Sequence, residues 1–185
     1  MAYPGKEIIH PYSGERAVYL ETASTTKGEL FQQDVFMSVG GFVTVEHYHP
    51  FQEERFDVLL GKIRMRINGE EQIAVAGEKR VIPAGVRHIW WNDFDEEAKV
   101  RVEFRPALRI ESLFENVAGL AKDGKVNKKT GLPNVLQLAV TGYYFKNELV
   151  ATNPGPFVQK LMFIFLVPIA RLLGYLPLYP EYSDP

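Results

Sequence analysis

Four side chains in this 185-residue sequence have the types and spacing to hold one metal ion: His47, His49, Glu54 and His88. They include three of the chain's four histidines. Residues two apart on a strand point to the same face, so His47 and His49 present both imidazoles to one side. Glu54 follows the Pro50 turn and opens a strand on which Glu54, Phe56, Val58 and Leu60 share a face. A carboxylate among apolar neighbours is costly unless it is paired, and a cation removes that penalty. Imidazole together with carboxylate suits iron, manganese, nickel, copper, cobalt or zinc, with geometry and availability choosing among them. Four protein ligands leave one or two coordination positions open for chemistry.

Two glycine-framed segments must position these groups. The first runs from Gly41 through His47-Tyr48-His49 and Glu54 to Gly61, and the second from Gly77 through Pro83-Ala84-Gly85 and His88 to Asn92. In order and spacing they resemble the two motifs of the cupin superfamily, G-x5-H-x-H-x3/4-E-x6-G and G-x5-P-x-G-x2-H-x3-N, and every named position is present. The resemblance covers roughly Gly41 to Asn92. It implies a double-stranded β-helix, the cupin jelly-roll barrel, with one divalent transition metal ion bound by His47, His49, Glu54 and His88. Glu53 also lies within the tolerated distance of His49, but Glu54 keeps the family's spacing to Gly61 and is preferred. Glu53 then faces the other way, as a solvated charge.

The remaining pattern from Ile8 to Arg105 is that of short antiparallel strands, giving a mainly β fold. Ile63, Met65 and Ile67 alternate with Lys62, Arg64 and Arg66, then Asn68-Gly69 supplies a two-residue hairpin turn, and Ile73 and Val75 return. Val100, Val102 and Phe104 alternate with charged residues in the last barrel strand. His88, Trp90 and Asn92 share a strand face, so Trp90, with Phe56 and Met65, is a candidate for the wall of a substrate pocket. His10, outside both motifs, is not expected to be a ligand. Glu46, Glu103 and the arginines at 64, 66, 101 and 105 fall opposite the inward faces and read as surface charge.

After Pro106 the period changes to that of helices, dividing the chain into a barrel over 1–106 and an apolar helical C-terminal extension over 107–185. Ile110, Leu113, Phe114, Val117 and Ala121 form one stripe opposed by Glu111, Ser112, Glu115 and Lys122, in a helix ending near Asp123-Gly124. A second helix is expected from Pro133, as first helical residue, to about Lys146. A third follows Pro156 and is apolar nearly all round. Lys160, Pro168 and Arg171 interrupt it, so it is too broken for a span of about 20 apolar residues. Burial against the barrel, against a second subunit in a homodimer, or as a lid is the preferred expectation, with membrane-surface contact as the alternative. The proline-rich Tyr175–Tyr182 segment is expected to wrap the surface.

Composition bounds the function. A net charge of −2 without a basic cluster argues against nucleic acid as a partner. The absence of cysteine excludes disulfides and thiol catalysis. No basic segment followed by an apolar run marks the N-terminus, which makes the cytoplasm the expected location. Serine-hydrolase, kinase and dinucleotide-binding signatures are lacking. The leading expectation is an oxidoreductase of dioxygenase type acting on a small apolar or aromatic molecule. The alternatives are a Lewis-acid isomerase or lyase with Glu103 or a side chain not recognised from sequence as base, and a non-enzymatic small-molecule-binding barrel.

Overall fold

The structure is a computed structural model that describes residues 2–183. Ten strands come first: β1 (Glu7–His10), β2 (Glu15–Glu21), β3 (Phe31–Met37), β4 (His47–Tyr48), β5 (Glu53–Leu60), β6 (Lys62–Ile67), β7 (Glu70–Val75), β8 (Lys79–Ile82), β9 (His88–Trp91) and β10 (Ala98–Arg105). There follow α1 (Ile110–Lys122), α2 (Val135–Tyr144), β11 (Val150–Ala151) and α3 (Pro156–Leu172). The strands form a six-stranded sheet in the order β1-β2-β3-β10-β5-β8 and a five-stranded sheet in the order β11-β4-β9-β6-β7. Every pairing is antiparallel. This is the expected mainly β barrel with C-terminal helices.

The period-2 pattern explains the core. Along β10, Ala98, Val100, Val102 and Phe104 are buried while the intervening residues are not. Asn68 and Gly69 close the β6–β7 hairpin at φ 51° and 89°, the positive pair that a type I′ turn requires. The register sets Ile63 opposite Ala74 and Met65 opposite Gln72, so the inner face of β7 carries Ala74, and Ile73 and Val75 lie outside. Leu60 departs from the alternation expected of β5. A register shift against Lys99/Val100 turns the end of the strand, and Leu60 is 56% exposed.

In the extension the helices form, with changes of detail. Glu115, expected on the outer face of α1, is buried and its carboxylate lies 2.6 Å from Lys6 Nζ. Helix α2 begins at Val135 and not at Pro133, because the side chain of Asn134 accepts hydrogen bonds from the backbone N–H of Leu136 and Gln137 and caps it. The closing segment does wrap the helices: Asn116 on α1 and Gln137 on α2 both donate to carbonyls in it, those of Pro177 and Leu176. α3 is the largest departure. Only Val167 and Ala170 of it are buried, against Ala139 and Val140 of α2, and this pair of helices keeps a small core separate from that of the barrel. Phe157, Ile164, Phe165 and Leu172 are exposed, so burial of α3 within the chain does not occur for most of its surface.

Candidate metal centre and cavity

Strand pairing brings the four expected ligands together. His47 on β4 stands directly opposite His88 on β9, His49 follows two residues on, and Glu54 reaches in from β5 in the facing sheet. All four are buried, and one ligating atom from each lies within 4.8 Å of every other. Glu53, by contrast, points outward and pairs with Arg55 at 2.5 Å. The family-preferred spacing therefore selects the inward carboxylate.

Each imidazole is oriented from behind. Nδ1 of His47 is 2.8 Å from the Val45 carbonyl, Nδ1 of His88 is 3.0 Å from that of Val86, and Nδ1 of His49 is 2.5 Å from that of Glu148. A carbonyl only accepts, so each Nδ1 carries the proton and each Nε2 is turned toward the common centre. His88 Nε2 lies 2.6 Å from Glu54 Oε2. His49 Nε2 lies 3.2 Å from the same oxygen but is buried without a hydrogen bond of good geometry.

Electrostatics follow from this packing. Burial pushes the His47 imidazolium well below its ordinary range, and the neighbouring imidazoles of His88 and His49 push it further. Burial acts against the charged forms of Glu54 and His88 as well. Their mutual attraction prevails, holding Glu54 below the usual carboxylate range and His88 above the usual imidazole range. One proton thus links His88 to Glu54. A divalent cation at the centre can replace it, satisfy the orphaned Nε2 of His49 and neutralise the buried carboxylate. Three neutral-capable imidazoles and one carboxylate with fixed tautomers fit such an ion.

The third of these backbone anchors comes from the extension. Glu148, whose carbonyl holds His49, is itself buried, and its carboxylate accepts two hydrogen bonds from Arg109, at 2.9 and 3.2 Å. Arg109 also donates to the Tyr144 carbonyl and lies over the Tyr144 ring. β11 then pairs with β4, with Ala151 opposite His47 and Val150 opposite Tyr48. Segment 148–151 therefore belongs physically to the ligand sheet, although it lies beyond the barrel in sequence.

A cavity of about 900 Å³ opens beside the cluster, between the barrel mouth and the helices. His47 and Glu54 are on its wall, with Trp90, Phe104 and Phe145. Of the three pocket residues expected from sequence, only Trp90 lines this space. Phe56 packs edge-on behind it, 5.8 Å from the Trp90 ring and 6.4 Å from His88, and Met65 is sealed in the core. Glu103 stands on the other face of β10, bound to Gln32 and Arg105, and has no access to the cluster. His10 accepts from Ser13 N–H at Nδ1 and donates from Nε2 to the Gly131 carbonyl, apart from the ligand group.

Two polar groups on the cavity wall escaped the sequence reading. Glu15 shares the inward face of β2 with Ala17 and Tyr19, and its partial exposure is toward the cavity. Burial, with the charge of Glu54 adding to it, raises its carboxyl pKa to about 7. Gln33 lies between Phe31 and Val35 on the inward face of β3, buried, with Oε1 lacking any hydrogen-bond partner. The signal for both was parity: a polar residue in an otherwise apolar inward register.

Comparison with known proteins agrees with this geometry. Residues 34–104 match the family model for the cupin domain. The barrel is a cupin. Two curated relatives match over parts of their length: polyketide synthase CurC of Streptomyces cyaneus, 36% identical over 61 residues, and tetracenomycin polyketide synthase protein TcmJ of Streptomyces glaucescens, 29% identical over 97. The matched regions are 33% of this chain and 40% of the former, and 52% of this chain and 64% of the latter. Solved cupin-fold structures superpose at low identity. KdgF from Halomonas sp. covers 55% of this chain and 86% of its own at 17% identity and TM-score 0.48. An RmlC-like cupin from Shewanella frigidimarina covers 58% and 88% at 17% identity and TM-score 0.49. Among the described residues no helix is long and apolar enough to cross a membrane.

Proposed function

We propose that this cupin is a mononuclear metal enzyme, an oxidoreductase of dioxygenase type, acting on a small apolar or aromatic molecule held in the cavity. The observation that carries the reading is that one largely apolar cavity is walled both by ligands of the four-residue cluster and by Trp90, Phe104 and Phe145. His47, His49, Glu54 and His88 are the proposed ligands. A bound divalent metal supplies Lewis acidity and open coordination positions, and with iron, manganese, nickel or copper it also supplies redox chemistry. The chain's own residues orient the ligand imidazoles, exclude water with Trp90 and the phenylalanines, and keep the cluster dry. Phe56 and Met65 support that wall from behind.

A second reaction type is favoured by Glu15. A carboxyl with a pKa of about 7 on the cavity wall is suited to taking and returning a proton at neutral pH. A metal held by His47, His49, Glu54 and His88 would supply Lewis acidity, and with Glu15 as proton carrier this arrangement would suit isomerase or lyase chemistry. The relatives' polyketide synthase names suggest a substrate with ketone oxygens on an apolar carbon skeleton.

Metal content of protein purified without chelator, beside the double variant His47→Ala/His49→Ala, tests the centre. Near-stoichiometric metal that vanishes in the variant is expected; no metal in either, even after reconstitution, overturns the ligand assignment. Iron-loaded and zinc-loaded protein, each assayed with and without dioxygen, separate the reactions. Turnover that needs both iron and oxygen supports the oxidoreductase. Turnover equal in zinc without oxygen, and lost in Glu15→Gln, supports proton transfer instead. We propose in addition that the exposed face of α3 is covered in a homodimer, in keeping with the apolar side chains it leaves unpartnered.

A further inference from the structure

The inner end of the cavity lies within the barrel, where inward residues of β2, β3 and β10 form its wall. Val35, Val102 and Phe104 make most of this surface apolar, and Glu15 and Gln33 interrupt it. Gln33 is buried, on a strand whose other inward residues are Phe31, Val35 and Met37. Its Oε1 has no hydrogen-bond partner. The immediate neighbours do not supply one. Phe31 and Val35 flank it along β3, Val102 stands opposite on β10, and Tyr19, opposite on β2, commits its hydroxyl to the Glu111 carbonyl 3.2 Å away.

Other buried groups short of a hydrogen bond are accounted for where they stand. The Glu115 carboxylate lies against Lys6 Nζ, the Gln52 amide nitrogen donates to the Pro106 and Ala107 carbonyls, and His49 Nε2 belongs to the ligand cluster. Among the described residues, Gln33 is the one that brings such an atom to the cavity wall. A buried acceptor left unsatisfied costs its full desolvation, whereas an apolar side chain of the same shape avoids that cost. An amide at this position therefore works against the stability of the empty protein, as local exceptions at binding sites do. Its distance from the cluster suits one ligand. Gln33, Val102 and Phe56 form a row across β3, β10 and β5, and Glu54 lies two residues from Phe56. The Gln33 backbone thus stands about 10 Å across and about 7 Å along the sheet from that of Glu54. With both side chains pointing inward, a small ring system can reach from one to the other.

We propose that Gln33 determines substrate specificity by binding a second polar group, an alcohol or phenol hydroxyl, at the end of the apolar or aromatic substrate remote from the ligand cluster. The hydroxyl donates to Oε1, and the cavity wall around it holds the carbon skeleton. This proposal rests on the reading of the cavity as the substrate site, but not on the reaction performed there.

Calorimetric titration of zinc-loaded protein with 2,6-dihydroxynaphthalene and with 2-naphthol tests it, the two probes differing by one hydroxyl on the far ring. Wild type should bind the diol roughly tenfold more tightly, the scale of one hydrogen bond to a buried group that otherwise has none. Gln33→Met should abolish that preference while 2-naphthol binding persists. The same variant should raise the thermal midpoint of ligand-free protein, because methionine fills the space without an orphaned acceptor. Equal affinity of the two probes for wild type, or a preference that survives in Gln33→Met, overturns the proposal. So does a lower midpoint in the variant, which would make the amide a structural group. Binding of neither probe overturns it together with the reading of the cavity as the substrate site. A protein that prefers the diol as expected but turns nothing over would fail only the enzymatic reading.

Discussion

The barrel and the third helix of the extension use apolar residues in opposite ways. On β10 each apolar residue faces inward and each charged one faces out, where Arg101 pairs with Asp34 and Arg105 with Glu103. On α3 apolar residues occupy nearly every azimuth, and of the helix's 17 residues only two are buried. The barrel closes on itself and buries the inward faces of its strands, although single apolar residues such as Leu60, Ile73 and Val81 stay exposed on its outside. The helix is half of a two-helix layer whose inner face walls a cavity and whose outer face has no partner among the described residues. Burial in the barrel is therefore explained by this sequence alone, whereas that of α3 depends on something else.

The largest effect that can break the comparison is a pair of truncations. Phe104→Ala removes a fully buried ring that touches His49, Phe31 and Phe114, and should destabilise by about 3–5 kcal/mol. Phe165→Ala, 64% exposed, should change stability by less than about 0.5 kcal/mol. Denaturant unfolding of both variants at low protein concentration measures this. Similar losses for the two would mean that α3 is as much a part of the folded core as β10.

Arg109→Ala comes next, and it asks whether the extension is coupled to the centre. Removal of the guanidinium strands the buried Glu148 carboxylate and loosens the carbonyl that orients His49. A loss of about 3 kcal/mol is expected, together with roughly tenfold weaker metal binding from the lost outer support. Thermal unfolding of metal-free protein and competition with a chromogenic chelator report the two effects separately. Reduced stability with unchanged metal affinity would show that Glu148 supports only the fold.

The contrast in legibility follows the same line. Ligand residues and barrel were readable because strand parity and glycine framing act over a few residues: His47 and His49 declare a shared face, and Gly61 must be glycine, since φ is 71° and a Cβ would come within 2.9 Å of the Glu97 carbonyl. Parity also held the clue to Glu15 and Gln33, but a polar residue in an inward register reads as an exception until a cavity is seen to receive it. The Glu148 carbonyl could not be found that way. Its bond to His49 spans 99 positions of sequence, and a backbone oxygen leaves no mark in residue type. Phe56 and Met65 shared the parity of the site yet lie one layer behind its surface, because periodicity gives the side of a strand and not the depth of packing.

A smaller effect sharpens the account of the inner end. With a folded-state pKa near 7 against an ordinary value of 4.5, Glu15 binds its proton more tightly in the folded chain. The folded state then holds more protons between those values, so stability falls as pH rises through about 4.5 to 7 and the cost persists above. Glu15→Gln removes it. In chelator-treated protein the variant should match wild type near pH 4 and exceed it by roughly 2–3 kcal/mol near pH 8. His47 and His88 titrate in both proteins and cancel in the difference. A gap that is the same at both pH values would place Glu15 in contact with bulk water and withdraw it as a proton carrier.

The smallest effect on folding belongs to the outer face of α3, where Phe157→Glu/Phe165→Glu exchanges two exposed rings for carboxylates. Neither ring lies in either hydrophobic core, so the isolated fold should keep its stability to within about 0.5 kcal/mol. The molecular mass in solution is where the change should appear. A stable homodimer typically buries about 800 Å² per partner, and an apolar face of four helical turns with Leu172 and Leu173 at its end is a fitting centre for one. Light scattering should give twice the chain mass for wild type and the chain mass for the variant. A monomer in both would remove the homodimer and leave the apolar outer face of α3 in need of a different cover, for which retention of wild type but not variant on anionic vesicles is the decisive reading.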